Sequence, residues 1–171
     1  MRIKSFVAAA VLLFAVPAFA HDGVMINDAY ARTNGASGAT GAIFMEIQNH
    51  SDTPDQLIAV ASDIAEKVEL HTHVESADGV MQMADVTGGF PVDALGSRIL
   101  TGGGDHVMLM GLTRKLADGD SFDLVLDFAD GGALTVPVVV DNNRKPGEMP
   151  AGTEGMEGMD HDAMHGSGTT D

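Results

Sequence analysis

From Val24 to Asp141 the chain advances in short apolar and β-branched runs, each ended by a cluster of glycine, asparagine, aspartate or proline. The runs are "VMINDAYAR", "GAIFMEIQN", "QLIAVAS", "KVELHTH", "GVMQMADV", "SRIL", "HVMLMGL", "SFDLVLDF" and "ALTVPVVV". Clusters such as "TNGASGATG", "NHSDTPD", "ESADG" and "TGGGD" separate them. Alternation with period two between turn clusters is the signal of a strand. No stretch sustains a 3.6-residue repeat, although "SDIAEKVEL" has room for one helical turn. Many short strands without intervening helices predict an all-β fold, a sandwich with Greek-key connections. Pro137, inside the last run, predicts an edge position or a bulge there, because proline cannot donate to a ladder.

The two ends differ from this middle. "MRIKSFVAAAVLLFAVPAFA" opens with Arg2 and Lys4, runs apolar from Phe6 to Val16 and closes on Ala18-Phe19-Ala20. That is the pattern of a cleaved signal peptide over residues 1–20, and it places the mature protein outside the cytoplasm. The apolar run is shorter than the roughly 20 residues that span a bilayer, so no membrane span is expected in the mature chain. Residues 142–171 hold glycines, acids and methionines with almost no branched apolar side chain. Such a segment buries too little surface to offset its chain entropy, which predicts a disordered tail. Residues 21–141 then form one domain.

Composition removes several function classes. There is no cysteine, so disulfides, thiolate copper centres and cysteine-based zinc sites are excluded. The formal charge is −16, with 25 acidic residues against 9 lysines and arginines. A surface of that sign repels nucleic acid and anionic lipid, and favours cations and basic protein patches. No G-x-S-x-G, cysteine nucleophile or phosphate-cradling loop ahead of a helix is present, so a non-enzymatic role is expected.

The chemistry gathers in two places. In "KVELHTHVESADGVMQMADV", residues 67–86, two alternating runs flank a turn cluster, which predicts a hairpin. His71 and His73 share one strand face, and Met81 and Met83 share the matching face of the other. If the hairpin is centred on Ala77, His71 faces Met83 and His73 faces Met81, with Cβ atoms about 5 Å apart. In "DHVMLMGL", residues 105–112, His106 and Met108 take one face while Val107 and Leu109 take the other. A single histidine on an apolar strand is more often hydrogen-bonded and structural, and methionine is a common core filler, the role expected of Met45 and Met110. Two imidazoles with two thioethers, each pair on one strand face, point instead to a soft monovalent metal, Cu(I), held for carriage.

The same stretches, "VELHTH…GVMQM" followed by "GGGDHVMLMGL", resemble the PCu(A)C-type periplasmic copper chaperones over roughly Asp28 to Phe128. The resemblance implies a cupredoxin-like β-sandwich and the ligands His71, Met83, His106 and Met108. Two departures accompany it. Thr72 stands where the family often has methionine, and 22 residues separate Met83 from His106, one more than is usual. They leave Met81 open as an alternative to Met83, and His73 as an auxiliary ligand. The resemblance also implies delivery of Cu(I) toward cytochrome c oxidase, at its binuclear copper centre, beside a thioredoxin-like copper chaperone. Storage or resistance without a dedicated acceptor is the alternative. In the tail, Met156, Met159, His161, Met164 and His165 form a His- and Met-rich tract that reads as an auxiliary metal site, with imidazoles suited to Cu(II).

Overall fold

The computed structural model describes residues 20–21, 23–33 and 39–145. Residues 1–19 of the expected leader and 146–171 of the expected tail lie outside them. The described residues form eleven strands and no helix: β1 (Ala20–His21), β2 (Val24–Thr33), β3 (Thr40–Asn49), β4 (Asp55–Ala61), β5 (Ala65–Glu75), β6 (Met81–Asp85), β7 (Phe90–Val92), β8 (Ser97–Leu100), β9 (His106–Leu112), β10 (Ser121–Phe128) and β11 (Gly132–Val140). Every expected run is a strand. The room for a helical turn in "SDIAEKVEL" is taken by a turn at Asp63–Ile64, after which β5 begins. There the ladder of β5 with β9, from Ala65 to His71, overrides local propensity. Strand β7 leaves no alternating signal in the sequence, because it is three residues long and contains Pro91.

The strands pair along one open path, β6-β5-β9-β3-β2-β11-β10-β4-β7, with β1 added to β2 and β8 to β3. All pairs are antiparallel except β11 with β2. The path bends so that its inner faces share one core, in which Ile43, Leu57, Val107, Leu109, Leu124 and Val138 are fully buried. Each such side chain contributes about 1.5–3 kcal/mol through burial. The result is an all-β, cupredoxin-like sandwich. Pro137 pairs with Asp123 of β10, while the ladder of β11 with β2 reaches only Val139 and Val140. The proline therefore meets a free edge on its other side.

Strand β2 is irregular at one point. Between Asn27, paired with Glu46, and Tyr30, paired with Phe44, it carries an extra residue. Asp28 takes the left-handed conformation there, at φ 53°, as the first residue of one type of bulge does. The insertion reverses the alternation of β2. Ala31 turns inward beside Ile43, and Tyr30 and Arg32 turn to the outer face beside Phe44 and Ala42.

The expected tail, from residue 142, begins with residues tied to the sandwich. Asn142 accepts from both the backbone N–H (2.7 Å) and hydroxyl (3.1 Å) of Thr33. Arg144 donates to both carboxylate oxygens of Asp28 and lies 4.1 Å over the Tyr30 ring. That carboxylate raises the Arg144 pKa further, chiefly through the hydrogen bond.

Candidate metal centre

Val107 and Leu109 of β9 are in the core, so His106, Met108 and Met110 stand on the outer face of the sheet. Strand β5 follows the same rule, with Leu70 inward and Glu69, His71 and His73 outward. The β5·β9 ladder sets His71 directly opposite His106 and Glu69 opposite Met108. The His71 and His106 ring centroids are 5.9 Å apart, and those of His73 and His106 are 5.2 Å apart. Three imidazoles therefore meet on one face, with His73 nearer to His106 than His71 is.

The hairpin register differs from a centre at Ala77. His73 faces Met83, His71 faces Asp85, and Met81 faces Glu75. The cause lies in the turn, where Ser76 N–H donates to Val80 O at 2.9 Å and makes these two residues the last pair. Gly79, at φ 75°, closes the turn with its N–H on Ser76 O. Parity survives the shift, so the same side chains still face outward. Met83 lines a cavity of about 270 Å³ together with His73, His106 and Met108, and Met81 stands outside it near the hairpin tip. Both methionines are about half exposed, at 49 % and 55 %. Met110, expected in the core, is only partly buried between Thr40 and Lys67, because it shares the outer face of His106, whereas Met45 is a core residue.

Hydrogen bonds decide which nitrogen each ring offers. Gly104 O accepts from His106 Nδ1 at 3.0 Å and from His73 Nδ1 at 3.3 Å. A carbonyl only accepts, so both rings carry the proton on Nδ1 and leave a lone pair on Nε2. His71 is turned the other way, with its Nε2 2.9 Å from Asp85 Oδ1 and 3.4 Å from Glu69 Oε2. Its neutral ring then has its lone pair on Nδ1, which is buried and has no hydrogen-bond partner. The Gly104 carbonyl is itself held in place. Arg98, lying 4.8 Å over Phe90, bonds Asp105 through Nε at 3.0 Å, and Gly104 N–H closes the turn onto Thr101 O at 3.1 Å. Burial pushes the His106 pKa down, outweighing the raising effect of the Gly104 carbonyl, and the nearby His73 and His71 rings add to the depression. His106 is thus kept as a neutral donor.

Sequence reasoning missed two groups here. Glu69, His71 and Asp85 offer ligand atoms within 4.8 Å of one another. Glu69 was readable as lying two residues before His71 on one face, whereas Asp85 depended on the register. Lys67 pairs with Glu69 at 2.7 Å, and this hydrogen bond is the main cause of the lowered Glu69 pKa. Met156, Met159, His161, Met164 and His165 lie outside the described residues.

Residues 24–140 match the family model described as "Putative lipoprotein LpqE-like". A curated relative, "Putative lipoprotein Lxx21020" of Leifsonia xyli subsp. xyli (strain CTCB07), is 33 % identical over 119 residues, 70 % of each chain. Among solved structures, the copper-bound PCuAC domain from PmoF2 superposes with TM-score 0.61 at 22 % identity, over 74 % of this chain and 98 % of that one. The solution structure of CuI-DR1885 from Deinococcus radiodurans gives TM-score 0.56 at 30 % identity, over 76 % of this chain and 82 % of that one.

Proposed function

This chain belongs to the LpqE-like family and has the fold of PCuAC domains, and from that premise we propose that it carries Cu(I) outside the cytoplasm and passes it to another protein. The observation that carries the reading is the buried, unpartnered Nδ1 of His71, on a ring that packs against His106. A buried polar atom without a partner is costly, and a metal ion is the partner that imidazole and thioether neighbours suit best. The donors are His71 Nδ1, His106 Nε2 and the sulfurs of Met83 and Met108, with His73 Nε2 as an auxiliary donor. Met83 lies diagonal to His71 across the hairpin, a separation that a long, flexible thioether can cover. Met81, one pair further out, belongs to the mouth of the site. Asp85 and Glu69 hold the His71 ring, as carboxylates commonly do behind metal-bound imidazoles.

A neutral sulfur donor on an exposed edge strand, Met83 on β6, suits release as well as capture. The copper acceptor reaches Met83 and Met81 from solvent and displaces one thioether at a time. We assign as acceptor the binuclear copper centre of a cytochrome c oxidase subunit, with a thioredoxin-like copper chaperone alongside. The tail residues Met156, Met159, His161, Met164 and His165 collect copper, including Cu(II), close to the domain. Export agrees with the leader pattern and with the lipoprotein descriptions of the family and the relative. None of the 171 residues is a cysteine, so this sequence offers no thiol for a lipid.

X-ray absorption of the Cu(I)-loaded chain should show mixed nitrogen and sulfur coordination. Substituting His71 or His106 with alanine should weaken Cu(I) binding by more than the about 10- to 100-fold typical of outer-shell changes. Sulfur-free coordination, or unaltered affinity in both variants, would sink the reading. Storage is the rival role, and a loaded chain that fails to metallate an apo oxidase subunit would favour it.

A further inference from the structure

Beside His106, Met83 and Met108 of that proposed copper site, on which the inference rests, the cavity they line holds a group with no role in binding the metal, while His71 stands just outside that lining. Arg32 lines it with His106 and Met108, and its Nε is buried without a hydrogen-bond partner. The side chain is there because of the bulge at Asp28, which turned Arg32 outward into the row Arg32–Ala42–Met108–Glu69 across four strands. Ala42, between the guanidinium and the thioether, fills little of the space. An always-charged fork of N–H donors, one of them orphaned, requires an acceptor of opposite charge. A cation bound at the imidazoles increases that requirement, since like charges would then share one cavity.

The volume agrees. About 270 Å³ is far more than one ion occupies, and a water's share of the liquid is about 30 Å³. Polar lining from Thr33, Thr40 and Gly102 completes the room beside Arg32. We propose that the cavity binds a small carboxylate together with copper, its two oxygens on the Arg32 guanidinium. Copper then enters or leaves the site as a complex with a small carboxylate-bearing molecule. The planar two-oxygen anion matches the guanidinium fork bidentately.

The test uses the full chain, apo and Cu(I)-loaded, with succinate as probe and inorganic phosphate as control. The Arg32 Nε–H resonance should shift saturably with succinate, and succinate affinity should rise at least fivefold when Cu(I) is present. By linkage, succinate must then raise Cu(I) affinity by the same factor. In Arg32→Gln that increment should vanish. Ala42→Leu, which fills the cavity and leaves Arg32 in place, should abolish it too and guards against misfolding of the first variant. No saturable shift in either form, an equal response to phosphate, or an increment that persists in Arg32→Gln would overturn the proposal. Succinate binding to the apo chain without any Cu(I) binding would keep the carboxylate subsite and reject the copper reading.

Discussion

His106 stores a pH dependence in the fold. Its pKa is depressed in the folded state by burial, so below the ordinary histidine value of about 6.5 the unfolded chain binds the proton more readily. The stability this residue contributes is complete above that value and is lost as pH falls through it toward the lower folded pKa. Thermal unfolding of the apo chain, followed from pH 7.5 to 5.5, should show a falling midpoint that flattens in His106→Gln. Asp85 acts through His71. Replacing it with asparagine weakens the acceptor at Nε2 and frees the ring to change tautomer, while Glu69 at 3.4 Å keeps part of the restraint. Cu(I) affinity should fall about tenfold, at the low end of the outer-shell range. The ring-nitrogen shifts of His71 in the apo chain should change with it, which a merely destabilising substitution would not cause.

The β5–β6 hairpin is the element on which the site turns. Gly79 sits at φ 75°, and a Cβ there would make only ordinary contact with Glu75, so the whole cost of Gly79→Ala is conformational, about 1–2 kcal/mol. The unfolding midpoint should drop by a few degrees. If the hairpin slips toward a centre at Ala77, cross-strand contacts between Thr72 and Ala84 should disappear from NMR spectra. Alternation along β5, β6 and β9 was readable from the residues alone, because side-chain direction follows from strand geometry. The pairing partner of each histidine was not. One hydrogen bond, Ser76 N–H to Val80 O, selects between registers that the hydrophobic pattern tolerates equally, since both keep the same faces outward.

For the molecule as a whole, the described residues that follow β11 are held to the sandwich. Arg144 clasps Asp28 and Tyr30, and Asn142 bonds Thr33. Deleting residues 147–171 should therefore leave the unfolding midpoint within a degree or two and lower the number of Cu(II) ions bound. Deletion from residue 142 should destabilise the domain measurably in the same assay. Equal midpoints for the two truncations would show that the clasp contributes nothing. Net charge of −16 further implies that association with a basic acceptor slows as salt rises, because screening removes long-range attraction.

By itself the amino-acid sequence determined that this chain is all-β, that His106 and Met108 share a face opposite Val107 and Leu109, and that two soft-donor segments exist. Those properties are local, set by period-two geometry and turn chemistry within a few residues. Only the tertiary structure decided that His71 meets His106 and that His73 joins them. It also set Asp85 behind His71 and turned Arg32 toward the cavity lined by His73, His106 and Met108. Each of these rests on pairing between segments distant in sequence, on one turn hydrogen bond, or on one inserted residue in β2, and none of them leaves a repeat to be read along the chain.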